Sequence, residues 1–112
     1  MIVLQETIRE YRRAIELDVV PVICGLQAAI DGMVQAELKR FHSRLRSLTP
    51  GQQQVIELSL REIGMKILEP VIRSLKRAAQ RGDWQGIVRL CELFGVVPLP
   101  HMVEKMQQAH AP

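Results

Sequence analysis

The sequence has few of the residues that cross-link a chain or hold a metal ion. Among its 112 residues are two cysteines, Cys24 and Cys91, which lie far apart and lack CxxC spacing. This pattern predicts neither a disulfide scaffold nor a zinc site, and two free thiols favour a reducing compartment, the cytoplasm. The three histidines (His42, His101 and His110) share no ligand spacing, so we expect no metal site.

Catalytic and membrane signatures are missing too. The sequence has no GxGxxG, P-loop, HExxH or nucleophile elbow, and we therefore predict no catalytic residue and no cofactor in this chain. No uninterrupted apolar run approaches the roughly 18–20 residues of a membrane span, and the N-terminus lacks a signal-peptide layout. We therefore expect no membrane association.

Glycine and proline are sparse, at seven and six residues, and good helix formers fill the stretches between them. The 47% of hydrophobic residues can form a core, and the length suits one domain. The sequence therefore predicts an all-α fold with three helical blocks and a tail. Its formal net charge of +3 is too small to identify a nucleic-acid binder by itself.

The first block, about residues 2–47, carries an apolar residue every three or four positions. The steps repeat every eleven residues, as in Tyr11, Val22 and Met33, which is typical of a nearly straight helix. The stripe keeps its phase across Pro21, so we expect one long spinal helix that bends there rather than two helices.

The length of this block predicts a dimer. Such a helix spans about 70 Å, whereas a compact domain of this size has a radius of gyration of about 13 Å. The rest of the chain is too short to cover the rod, so part of the stripe must meet a second protein surface, most simply another copy. The predicted interface consists of Ile8, Tyr11, Ile15, Val19, Val22, Leu26, Ile30 and Met33.

Helix-end signals delimit the second block. Thr49, followed by Pro50 and by Gln52 three residues on, predicts an N-cap with a capping box. Pro70 is expected to interrupt or bend the helix, and Gly82 to end it in the left-handed conformation.

Asp83 predicts the N-cap of the third block, and Gly95 predicts its end. The proline-containing segment 96–100 breaks the pattern, after which residues 101–109 could form a short helix. We expect the apolar residues of 50–95 to form a helical bundle core within one copy.

Two basic runs, residues 39–46 and 73–81, carry four cations each. One interpretation is a phosphate-contacting surface of a small RNA-binding module. The other is a pair of solvated faces whose cations lie near helix C-termini, where the helix dipole favours them. The candidate RNA contacts are Lys39, Arg40, Arg44, Arg46, Lys76 and Arg77.

Several short segments occur in a distinctive order. They read Val-Val-Pro-Val-Ile from residue 19 with Leu26 after it, Ala-Glu-Leu-Lys-Arg from 36, Leu-Thr-Pro from 48, Arg-Glu-Ile-Gly-Met-Lys-Ile-Leu-Glu-Pro from 61, Arg-Gly-Asp from 81 and Leu-Phe-Gly from 93. In order and spacing, they resemble the C-terminal dimerisation domain of glutamyl-tRNA reductase. The resemblance assigns residues 1–96 to that domain and leaves 97–112 as a tail.

The resemblance implies a homodimerisation module of a larger enzyme. That enzyme reduces glutamyl-tRNA to glutamate-1-semialdehyde with NADPH, in tetrapyrrole (haem) biosynthesis, and its catalytic and NADPH domains precede the matched region. The module itself would be non-catalytic, with tRNA as a possible contact. Met65 and Glu69 stand where the family favours Asn and His, so no role tied to those side chains carries over.

A third interpretation is an enzyme similar to the all-helical chorismate mutases, which bind dicarboxylates with basic residues. It would require Arg12, Arg13, Lys39 and Arg61 to converge on one pocket.

Overall fold

A computed structural model describes residues 2–109, with side chains for Gln5, Glu6, Arg9 and residues 19–108. The described residues form helices and no strand, which confirms the all-α prediction. The helices are α1 (Ile2–Arg40), α2 (His42–Leu45), α3 (Pro50–Arg81), α4 (Trp84–Phe94) and α5 (Pro100–Ala109).

The long helix α1 runs without interruption through Pro21, as the phase of its stripe predicts. It ends at Arg40, several residues before the expected end near 47, because Phe41 leaves the helical conformation with φ −97° and ψ 12°. The short α2 then turns the chain towards α3. By length and composition, the segment Val19–Arg40 could also cross a membrane, which the sequence analysis did not foresee.

Helix α3 begins where its capping box predicts. The Thr49 hydroxyl accepts a hydrogen bond from the Gln52 amide (3.2 Å), and the Gln52 side chain accepts one from the Thr49 amide (3.0 Å). The helix continues through Pro70 and ends at Gly82, whose φ of 71° is the left-handed cap expected there.

The remaining helices also have the expected ends. The Asp83 carboxylate caps α4 by accepting a hydrogen bond from the Gly86 amide (3.0 Å), and Gly95 closes the helix with φ 68°. After the break at residues 96–99, α5 forms within the tail and packs on α4, burying Met102 completely.

Helices α1 and α3 form an antiparallel hairpin. Ile30 lies against Gly64, Asp31 pairs with Arg61 and Gln35 with Glu57, so residue numbers rise along α1 as they fall along α3. The molecule measures 62 × 37 × 17 Å with a radius of gyration of 18.7 Å, well above the roughly 13 Å of a compact domain of this length. The chain is elongated, as its long helix implies.

Candidate self-association surface

The apolar stripe of α1 faces α3 within the same chain. Val19, Val22 and Leu26 are at most 1% exposed, and Ile30 is also buried, in a core shared with Leu68 and other residues. A side chain with no exposed surface has nothing left to bury against a second copy. In the single chain these four residues are core residues, and their assignment to a partner interface stays a prediction.

The other predicted interface residues of α1 are not among these four buried residues. Met33 is 53% exposed and remains available to a partner. The side chains of Ile8, Tyr11 and Ile15 lie outside the described residues, and their assignment to an interface stays a prediction.

Helix α3 carries a second apolar stripe beside its core face. Ile56, Leu60, Ile63 and Ile67 follow one another at steps of four, three and four residues, so they lie along one side of the helix. Ile63 and Ile67 are 55% and 60% exposed, and Ile56 and Leu60 are half-buried. The expectation that the apolar residues of 50–95 form an internal core is wrong for Ile63 and Ile67, whereas Leu60 packs against that core.

Helix α4 shows which side of the hairpin this stripe occupies. Ser74 and Ala78 of α3 line a small cavity with Ile87 and Leu90 of α4, so α4 lies on that side of α3. At the other end of α4, Val96 lies against Gly25 of α1, where an added Cβ would come within 2.7 Å of Val96 Cγ1. Helix α4 therefore crosses from α3 to α1 on one side of the hairpin.

The same side continues beyond α4 without cover. Along α1, Gly25 is followed on one side by Ala29, Met33 and Ala36, at steps of four, four and three. Along α3, Ser74 shares its side with Ile67, Ile63 and Leu60, at steps of seven, four and three. We define the open face as Ala29, Met33, Ala36, Leu60, Ile63 and Ile67, of which Ala29 and Leu60 are half-buried and the other four are exposed.

The opposite side of the hairpin carries a polar cluster, although Leu58 on that side is 55% exposed. Arg61 contacts Asp31 (3.6 Å) and Glu57 (2.9 Å), and the Gln35 amide donates a hydrogen bond to Glu57 (3.1 Å). These groups are partly exposed, so each pair contributes little to stability. They nevertheless mark this side as one that faces water, in contrast to the open face.

An apolar cavity of about 220 Å³ lies at the end of the hairpin, lined by Glu37, Leu38, Phe41, Leu45, Ile56 and Leu60. Leu60 belongs to the open face, and Ile56 continues its stripe, so the cavity extends the apolar surface to the end of the hairpin. The guanidinium groups of Arg40 and Arg44 lie 5.2 and 5.7 Å from the Phe41 ring centre, within cation–π range.

The two basic runs do not meet. Lys39, Arg40, Arg44 and Arg46 are exposed around α2, whereas Lys76 and Arg77 are exposed near the end of α3. Some 26 residues of α3 separate them, which is about 39 Å at 1.5 Å per residue. They therefore form two separate patches.

The cysteines differ in environment. Cys24 is exposed, whereas Cys91 is buried, and its burial raises the pKa of its thiol. Within residues 2–109, the side chains described include no cluster of three metal-ligating groups. Of the four residues that a chorismate-mutase-like pocket would need, Arg61 is held by carboxylates, and the side chains of Arg12 and Arg13 lie outside the described residues.

Comparison with known proteins gives this arrangement a context. Residues 1–96 match the family described as glutamyl-tRNA(Glu) reductase, dimerisation domain. The chain belongs to this family. The match ends at Val96, the residue that lies against Gly25, and α5 follows it.

Individual relatives agree with the family assignment. The chain is 35% identical to glutamyl-tRNA reductase 2 of Koribacter versatilis over 66% of its length. It is 32% identical over 69% to the glutamyl-tRNA reductase of Natranaerobius thermophilus, and 33% identical over 91% to that of Chloroflexus aggregans. It covers only 17%, 17% and 22% of these three proteins. No solved structure matches the chain.

Proposed function

We propose that this dimerisation domain joins two copies of a glutamyl-tRNA reductase, and that the chain itself performs no chemistry. The enzyme would reduce glutamyl-tRNA to glutamate-1-semialdehyde with NADPH in tetrapyrrole biosynthesis, as the family resemblance implies. The observation that carries the proposal is the family match over residues 1–96. The exposed apolar side chains of the open face support it, because monomeric proteins rarely leave such a surface uncovered.

The NADPH of the proposed enzyme does not fit this part of the chain. Dinucleotide sites of the Rossmann type need a glycine-rich turn between a strand and a helix, and residues 2–109 contain no strand. Cofactor and catalytic residues are therefore assigned to the rest of the enzyme. We also propose a cytoplasmic location, since free thiols at Cys24 and Cys91 suit a reducing compartment.

Light scattering behind a sizing column tests dimerisation directly. Over a concentration series, we expect a molar mass of twice the 12.7 kDa of the chain, with partial dissociation on dilution. The elongated shape should make the species elute early for its mass. A mass of one chain at every concentration would contradict the proposal.

We further propose that the basic patch around α2 contacts tRNA. The observation that favours it is the exposure of Arg40, Arg44 and Arg46 in one short segment. Binding to tRNA should weaken steeply with salt, and Arg44→Gln should lower the slope of log K against log salt by about one unit. Lys76→Gln, in the distant patch, is the matched control. Binding that ignores salt, or equal effects of both variants, would contradict this contact.

A further inference from the structure

We propose that the open face is the surface on which a second copy of this chain docks, with the two open faces packed together. This inference rests on the proposed homodimer and says which part of the molecule forms it. It replaces the interface expected along the α1 core stripe with one built from the outer side of α3 and the neighbouring side of α1.

The open face continues a surface that the chain covers elsewhere. On the side of the hairpin bearing Gly25 and Ser74, α4 and Val96 provide the cover. Past that point, no third helix within residues 2–109 covers the same sides of α1 and α3. The segment that covers this side of the hairpin ends at Val96, and the next residue, Val97, is 86% exposed. A helix supplied from outside would complete the packing that α4 begins.

The side chains of the open face are apolar and uncharged. The open face presents Met33, Ile63 and Ile67 with more than half of each side chain exposed. Ala29 and Ala36 flank Met33 on α1 and leave room for the backbone of another helix to approach. Burying apolar surface contributes roughly 25 cal/mol per Å², and the residues of the open face include no charged group that would oppose such burial.

A second copy of the chain suits the open face as its occupant. A closed dimer with two-fold symmetry uses the same patch on both copies, which requires a surface that is complementary to itself. An uncharged, apolar face meets this requirement, whereas the basic patches would repel their own copies. Two α1–α3 hairpins packed by their open faces form a four-helix arrangement, and the family is a dimerisation family.

This packing also accounts for the composition of α1. The segment Val19–Arg40 is apolar enough to resemble a membrane span. One of its sides packs on α3 through buried residues, and a neighbouring side carries Ala29, Met33 and Ala36. A helix that serves two apolar contacts needs apolar residues on more than one side, and no bilayer is required to explain them.

The decisive experiment introduces a charge into the open face. Ile63→Asp and Ile67→Asp should each raise the dimer dissociation constant by about 30-fold or more while retaining native helix content by circular dichroism, because both side chains are exposed in the single chain. Gln54→Asp is the matched control: position 54 is exposed and lies nine residues before Ile63, on the opposite side of α3.

The outcomes separate this inference from the proposed function. A wild-type dimer that both Ile variants leave intact would overturn the docking surface and leave dimerisation standing. A wild-type chain that stays monomeric would overturn both. A dimer weakened equally by Gln54→Asp would also contradict the inference, since the effect would not belong to the open face.

A second measurement does not depend on a disruptive charge. In a Cys24→Ser background, Ile67→Cys places a thiol in the open face, while Cys91 stays buried. Its alkylation by a soluble maleimide should slow as protein concentration rises, because dimerisation covers it. The thiol of Gln54→Cys should react at one rate throughout. Equal, concentration-independent rates at both positions would contradict docking here.

Discussion

At the scale of single residues, two glycines of the hairpin differ in the space that is available for a side chain. A Cβ at Gly64 would come within 2.5 Å of Ile30 Cγ2, whereas a Cβ at Gly32 would meet nothing within 4 Å. The methyl of Ile30 is attached directly to its Cβ, and the χ1 rotation that would move it is unfavourable in a helix, so relief requires an unfavourable rotamer or a shift of one helix. Gly64 is therefore where α1 and α3 approach closely, and Gly32 has no such role.

We predict that Gly64→Ala destabilises the fold by about 1–2 kcal/mol, since overpacking outweighs the better helix propensity of alanine. Gly32→Ala should instead stabilise it by up to about 1 kcal/mol. Urea unfolding at one fixed protein concentration measures both. If the two variants shift the midpoint in the same direction, the close approach at Gly64 is misplaced.

At the scale of helices, the sequence predicts the ends that depend on neighbouring residues. The caps at Thr49, Gly82, Asp83 and Gly95 all lie where predicted, because each is made by atoms within a few residues. The end of α1 was misjudged by several residues. The helix ends early because Phe41 leaves the helical conformation. The turn that follows is held by the Gln53 side chain, which donates hydrogen bonds to the carbonyls of Leu45 (2.9 Å) and Leu48 (3.1 Å), and these contacts from the next helix have no local signature.

The cap of α3 should contribute measurably to stability. Thr49→Ala removes the hydroxyl that accepts from the Gln52 amide, and we expect a loss of about 1 kcal/mol. Ser59→Ala, on the same helix, is the control, because the Ser59 hydroxyl only donates to the carbonyl of Val55 within the helix. We expect it to be neutral or slightly stabilising, and thermal unfolding compares the two.

The surface of α3 shows a second limit of sequence reasoning. Along the sequence of α3, the apolar residues of the core side alternate with those of the open face. Their periodicity alone therefore predicts a single broad apolar side of the helix. Only the packing of α3 against α1 shows that Leu68 is enclosed and Ile67 is not. The elongated all-α fold was predictable from local pattern and length, whereas the division of apolar residues between core and surface depended on tertiary contacts.

At the scale of the whole molecule, we expect a substitution by aspartate to have different effects in the core and in the open face. Leu26 is fully buried, so Leu26→Asp should cost at least about 3 kcal/mol and reduce helix content in the chain as a whole. Ile67→Asp should leave a folded monomer. Circular dichroism together with light scattering distinguishes the two. A Leu26→Asp variant that is folded and monomeric would instead indicate that the dimer interface lies on the apolar stripe of α1.

The prolines inside both long helices have a mechanical consequence. Since Ile30 lies opposite Gly64 in an antiparallel pair, Pro21 and Pro70 lie within about one turn of the same height. Neither can donate to the carbonyl four residues before it, on Leu17 and Lys66, so both helices lack a hydrogen bond at one cross-section. We therefore expect both helices to bend more easily there than at positions with a complete hydrogen-bond ladder, so that the two halves of the rod tilt about a shared joint.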